Sequence, residues 1–379
     1  MDNQGYVTWN EDKKSAANME NFGKAAAHFA RANKVSGAVD AIKPTSDGSI
    51  TFSNLESGYY LITSSNGTLA MVLTTPKNPS AKVNEKNPTP SLDKSVQEDS
   101  TSKWGKENSA QIGDTVNFKV TIGVQKGAKN YVMHDVMEDG LTFNANSVAI
   151  KELTKGTDYT VTTSGLTDGC TFEIRFDQSY LDKITEAHDL EVTYSAVLNE
   201  KADITNGEKN EAILTWGDNG STKWSETVTK TYQFKVLKYD AKDNEKKPLA
   251  GATFQLNDAA GNVLKLIKVS DTEYRLANGE ETGAVDSFTT VGAGKIIIKG
   301  VDLDQYRLVE TKAPAGYNTL KDATVVNVTA GDTVAVEIAN QSGVELPSTG
   351  GMGTTLFYVA GGILVIGAIV LLVTRKRMN

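Results

Sequence analysis

Hydrophobic and polar residues alternate along most of the chain, the period-two pattern of strands with one buried face. In TVNFKVTIGV the apolar face carries Val116, Phe118, Val120, Ile122 and Val124. In LEVTYSAVL it carries Leu190, Val192, Tyr194, Ala196 and Leu198, and in DTVAVEI it carries Val334, Val336 and Ile338. Turn signals such as EDG, TDG, DNG, ANG and PAG punctuate the runs. This arrangement predicts a mainly β chain of tandem Ig-like antiparallel β-sandwich domains. Two segments break the pattern. Met19, Phe22, Ala26 and Phe29 share one face of a helix near the start. Near the end, LFYVAGGILVIGAIVLLV (356–373) carries no charge. At about 1.5 Å rise per residue it nearly matches a bilayer core of roughly 30 Å, which predicts one C-terminal transmembrane helix. Arg375, Lys376 and Arg377 follow and should stay cytoplasmic, leaving the body outside. An exported chain needs a signal peptide, yet MDNQGYVTWNEDKKSAANMENFG has no apolar core of one, so the N-terminus reads as incomplete.

Composition narrows the partners. The 379 residues leave room for two or three domains, and a net charge of −8 argues against nucleic acid or an anionic lipid surface as a partner. The single cysteine, Cys170, excludes an intrachain disulfide and reads as a small packed residue. His28, His134 and His188 show no metal-ligand spacing, and no phosphate loop, nucleophile elbow or HExxH occurs. Neither a metal nor a cofactor is expected.

The same alternation puts charged residues where apolar ones belong. In TYQFKVLKYD, Lys238 shares a face with Phe234 and Val236; Asn340 continues Val334, Val336 and Ile338; Glu310 continues Tyr306 and Leu308. A second set repeats this. Lys94 lies with Leu92 and Val96, Asn210 with Ala212, Leu214 and Trp216, and Asp135 with Tyr131 and Met133. Taken singly, each such residue can sit at a strand end and reach water. Taken as two Lys/acid/Asn sets, they point to chemistry. Burial favours a neutral lysine amine and a protonated carboxyl. The amine is a nucleophile, and the carboxyl can polarise the Asn carbonyl and carry protons. The product is a Lys–Asn isopeptide bond with ammonia lost. Each set consumes itself once, so turnover catalysis is not expected.

Family resemblances extend this reading. Leu346, Pro347, Ser348, Thr349 and Gly350, followed by the apolar span and basic tail, resemble the sorting signal of Gram-positive surface proteins. That resemblance implies cleavage between Thr349 and Gly350 by a sortase, transfer of the Thr349 acyl group to an amine, and a membrane span used only before sorting. LKYDAKDNEKKPLAGATFQL through LVETKAPAGY to VEIANQSGVELPSTG resembles a Cna B-type domain of pilins, which implies Lys238 joined to Asn340 with Glu310 as acid. GDTVNFKVTIG, HDVMEDGLTF and NEAILTWG resemble the fimbrial isopeptide-forming domain of pilin shafts. This implies Lys94 joined to Asn210, with Asp135 as acid and Glu138 and Asp139 as alternatives. GSITFSNLESGYYLITSSNG resembles the end of a pilin N-terminal domain.

The expected organisation is an incomplete N-terminal domain (1–85), a linker (86–93), an isopeptide-forming middle domain (94–228) and a Cna B-type domain (229–342). The sorting motif (343–350), transmembrane helix (355–373) and basic tail (374–379) follow. Shaft pilins use a Lys near the first junction as acceptor. Lys86, in VNEKNPTPSLDK, is favoured for that role, with Lys77, in TTPKN, its rival. The implied function is a structural subunit of a covalently polymerised pilus at the cell wall with a role in adhesion. Its partners would be sortase, further copies of itself, minor pilins, peptidoglycan and a host surface ligand. The alternative is a singly wall-anchored adhesin or minor pilin.

Overall fold

The computed structural model describes residues 22–23, 25–26, 29–30, 49–64, 69–84, 89–217, 220–331, 333–343, 359 and 365. The sorting motif, Lys86 and all but two residues of the expected membrane span lie outside them. Among the described residues no helix is long and apolar enough to cross a membrane. The described residues of the N-terminal segment are helical, but Phe22 and Phe29 are exposed rather than on a covered face. Strands β1 (Gly58–Thr63) and β2 (Leu69–Thr74) pair as an antiparallel hairpin.

Two compact units divide the chain, parting near Tyr232. In the first, the strands in chain order are β3 (Ser91–Gln97), β4 (Trp104–Gly105), β5 (Glu107–Ser109), β6 (Thr115–Val124), β7 (Val132–Met137), β8 (Leu141–Ile150), β9 (Tyr159–Thr162), β10 (Phe172–Phe176), β11 (His188–Leu198), β12 (Glu208–Trp216), β13 (Gly220–Ser221) and β14 (Ser225–Lys230). One sheet has the order β4-β3-β6-β11-β8 and the other β5-β14-β12-β7-β10-β9, with β13 on β12. Pairing is antiparallel apart from β14 with β5. The apolar faces foreseen from alternation are the inner faces. Phe118, Val120, Ile122 and Val124 on β6 and Val192, Ala196 and Leu198 on β11 are shut off from solvent. They meet Met133, Phe172, Ile174, Ala212 and Leu214 in one core. A one-residue slip would turn every one of these side chains outward, so burial fixes the register.

The second unit contains β15 (Tyr232–Asp240), β16 (Thr253–Asn257), β17 (Leu266–Lys268), β18 (Glu273–Leu276), β19 (Phe288–Thr289), β20 (Lys295–Val301), β21 (Gln305–Lys312), β22 (Thr324–Asn327) and β23 (Val334–Asn340). Its sheets run β17-β18-β20-β15-β23 and β19-β16-β21-β22. The first strand, β15, and the last, β23, lie side by side and parallel. Parallel neighbours cannot be joined by a hairpin, so the rest of the domain intervenes between them. In the first unit the layout differs: Asn210 lies on β12, and β14 follows β12 and pairs with it.

Candidate functional site

Each unit encloses a cluster of charged and amide side chains at the positions the alternation marked. In the first, Lys94, Asp135 and Asn210 are all fully buried. Lys94 projects from β3 of one sheet. Asp135 on β7 and Asn210 on β12 project from the other, where Asp135 pairs with Ala212 and Asn210 with Met137. That register places the acid and the amide two residues apart on one face of adjacent strands. Lys94 Nζ donates to Asp135 Oδ2 at 2.6 Å. Its ammonium also stands over the rings of Phe118 (5.1 Å) and Tyr194 (4.8 Å). Glu138 and Asp139, the alternative acids, do not enter the cluster: Glu138 accepts from Lys209 N at the strand end, and Asp139 is exposed beside Lys201.

Tyr194 completes this cluster and was not singled out as functional from sequence. Its hydroxyl donates to Asp135 Oδ2 and meets Lys94 Nζ. The Asn210 amide lies alongside Tyr194 without a well-formed hydrogen bond, and Asp135 Oδ1 also lacks one. A buried amide left in this way is costly in an inert core. Alternation assigned Tyr194 to the inner face, but an inward tyrosine is ordinary core, and only the meeting of the two sheets gives its hydroxyl a role. Burial lowers the Lys94 amine to about 8 against the opposing pull of Asp135, and burial raises the Asp135 carboxyl. Burial and the neighbouring Asp135 hold the Tyr194 phenol well above its ordinary value.

The second unit uses a different layout. Lys238 on β15 pairs with Ile338 on β23, so Asn340 is its same-face neighbour two residues on in the same sheet. Glu310 comes from β21 in the facing sheet. Lys238 and Asn340 are fully buried, and Glu310 nearly so. Lys238 Nζ donates to Asn340 Oδ1 and, at 3.2 Å, to the Ile338 carbonyl. It stands 3.5 Å from Glu310 Oε1. Asn340 Nδ2 donates to both Glu310 oxygens, at 3.0 and 2.9 Å, and to the Asn318 carbonyl at 2.9 Å. Leu320 N donates to Glu310 Oε2 at 2.8 Å and fixes the carboxyl. The acid therefore faces the amide nitrogen rather than the carbonyl oxygen that the sequence reading had it polarise. Burial lowers the Lys238 amine, opposed by Glu310.

The acceptor candidates differ in what is described. Lys86 lies outside the described residues, as do Leu346, Pro347, Ser348, Thr349 and Gly350. Lys77 is exposed in a tight turn after β2, closed by reciprocal Thr75–Asn78 backbone hydrogen bonds at 3.0 Å.

Comparison with known proteins agrees with this architecture. Residues 112–220 match the Gram-positive pilin backbone subunit 2, Cna-B-like domain. Residues 232–342 match a prealbumin-like fold domain, and 339–379 the LPXTG cell wall anchor motif. Fimbrial subunit type 1 of Actinomyces viscosus is 25% identical over 332 residues, covering 70% of this chain and 62% of that protein. Fimbrial subunit type 2 of Actinomyces naeslundii is 29% identical over 324 residues, covering 72% and 59%. The chain thus spans about six-tenths of the length of these curated relatives. A 35 kDa C-terminal fragment of the major pilin of Streptococcus agalactiae superposes with a TM-score of 0.52 at 21% identity, covering 67% of this chain and 100% of the fragment, a likeness of fold. Family models thus match a pilin-backbone Cna-B-like domain, a prealbumin-like fold domain and an LPXTG cell wall anchor motif, each over part of this chain, and the anchor motif indicates a cell-wall location.

Proposed function

We propose that this chain is the structural subunit of a covalently polymerised pilus whose two sandwich domains lock themselves with Lys94–Asn210 and Lys238–Asn340 isopeptide bonds. The observation that carries the reading is the pair of clusters: in each unit a fully buried lysine meets a buried acid, with a buried asparagine on the same core face. Such groups are expensive to bury as an inert set and useful as a reacting one.

The chemistry balances within each cluster. The neutral lysine amine attacks Asn Cγ, the Nζ–Cγ bond forms, the Cγ–Nδ2 bond breaks, and one ammonia leaves. The proton shed by the amine passes by way of the carboxyl to the departing nitrogen. Glu310, against Asn340 Nδ2, suits that transfer. In the middle domain Asp135 does the same work, with Tyr194 holding the amine and the acid together. Lys94, Lys238, Asn210 and Asn340 are all fully buried, which keeps water from competing with the amine at Cγ. Each bond closes a loop on the order of 100 residues, worth about 5 kcal/mol by the chain-entropy relation for cross-links. Under tension between β15 and β23 the load falls on a covalent bond rather than on strand pairing, and no reductant reverses it.

Assembly follows from the C-terminus. Sortase cleaves between Thr349 and Gly350 and passes the Thr349 acyl group to a lysine of the next copy, Lys86 in preference to Lys77. The last copy is passed to peptidoglycan, and minor pilins join by the same chemistry. The test is an immunoblot of wall extracts boiled in detergent, from cells carrying the intact protein or its Lys86→Ala variant. A high-mass ladder lost in the variant supports a shaft linked through Lys86. A ladder that persists moves the acceptor to Lys77. A single band in both strains overturns polymerisation and leaves a singly anchored adhesin.

A further inference from the structure

The outer face of the β7–β10 sheet carries a second cluster that the isopeptide chemistry does not use. His134 follows Met133 and precedes Asp135 on β7, so it points away from the core. It pairs across the strands with Glu173 on β10. Between the strands, Gly169 takes a left-handed turn (φ 83°) that brings Asp168 and Cys170 back over the sheet. His134 Nδ1 stands 2.9 Å from Asp168 Oδ2 and 3.1 Å from Glu173 Oε1. The ligating atoms of His134, Asp168 and Cys170 all lie within 4.8 Å of one another.

We propose that His134, Asp168 and Cys170 bind one divalent cation of the zinc class on this face. Two carboxylate oxygens converge on a single ring nitrogen. One proton on Nδ1 answers one of them, whereas a divalent cation at that point answers both carboxylates and the thiolate. The other ring nitrogen is arranged for this role. His134 Nε2 lies 3.1 Å from Thr215 Oγ1, whose own proton is given to the Val132 carbonyl at 3.3 Å. In the tautomer where Thr215 accepts from Nε2, the Nδ1 lone pair faces the cluster. Holding a ligating imidazole through its second nitrogen is the usual outer support of such sites. The donor set excludes most alternatives. Thiolate with imidazole favours zinc over calcium or magnesium, which take oxygen ligands. Asp168 is 40% exposed, so an ion enters directly from solvent. A bound ion ties β7, β10 and the 168–170 loop together one residue from Asp135.

The test uses the full purified chain, stripped with a chelator and kept reduced. Zinc chloride is titrated calorimetrically and cobalt(II) is followed by absorption. The expected result is one equivalent of zinc, a thiolate-to-cobalt charge-transfer band, and loss of both in Cys170→Ser and in His134→Gln. Circular dichroism matching the parent shows that each variant is folded. Thr215→Val, which removes only the outer support, weakens zinc about 10- to 100-fold. Absence of saturable zinc binding overturns the site, and so does binding that survives unchanged in both ligand variants. A cobalt complex without the charge-transfer band removes Cys170 from it and overturns the proposal as stated.

Discussion

Replacing Glu310 by alanine tests whether the buried acid is chemically required. The change removes the two contacts to Asn340 Nδ2, the 2.8 Å bond from Leu320 N and the carboxyl 3.5 Å from Lys238 Nζ. With no carboxyl to carry the proton, ammonia cannot leave, and Lys238 and Asn340, 102 residues apart in sequence, stay unjoined. Losing that closure costs about 5 kcal/mol. A domain of this size shifts its melting point by roughly 4 °C per kcal/mol, so the second unit should melt about 20 °C lower. The uncompensated amine adds to that loss, since removing one partner of a buried pair costs about 3–5 kcal/mol. Intact-mass measurement of the full chain and scanning calorimetry read the two effects separately. The parent should be short of its sequence mass by two ammonia molecules and the variant by one. Glu310→Gln, which keeps the volume, should also be short by one. A variant still short by two would refute the role of the carboxyl. A deficit of one with an unchanged melting point would refute the link from covalent closure to stability.

Three further outcomes are expected. Asp135→Ala should leave Lys94 and Asn210 recoverable as separate peptides while the second unit keeps its ammonia deficit, since the clusters share no residue. Tyr194→Phe keeps the ring stacked 5.5 Å from Phe118 and edge-on 5.0 Å from Phe172 but removes the hydroxyl. Loss of that hydrogen bond leaves a buried polar group unsatisfied, about 1–3 kcal/mol, and should slow middle-domain bond formation roughly 5- to 150-fold in a time course of mass loss after refolding. In the same assay, that rate should rise with pH as the Lys94 amine loses its proton near 8, and should fall again once Asp135, raised by burial, no longer holds its own. A rate independent of pH between 6 and about 9 would contradict attack by the neutral amine.

Much of the site was legible before any coordinates because a strand's side-chain period is two. Once Val236 or Ile338 is known to face inward, the side Lys238 or Asn340 takes is fixed, and the structure finds both fully buried. The same parity assigned Lys94, Asp135 and Asn210. Parity says which face a residue takes, but not which strand lies beside or opposite it. That the two layouts differ, Lys with Asn in one sheet of the second unit and acid with Asn in one sheet of the first, depends on strand order. So does the place of Tyr194, and so does the contact of Glu310 with the amide nitrogen.

The sequence by itself determined the β architecture, the inward charged residues and the anchor motif, because these are local: periodicity, turn chemistry and a contiguous signal. It read His134 as isolated and Cys170 as simple packing, since residues on β7 and in the loop before β10 lie more than 30 positions apart. Only the antiparallel register of β7 with β10, and the turn at Gly169, bring imidazole, thiol and carboxylates to one point. Long-range pairing is selected by the burial of whole sheet faces at once, and no short stretch of chain carries that information.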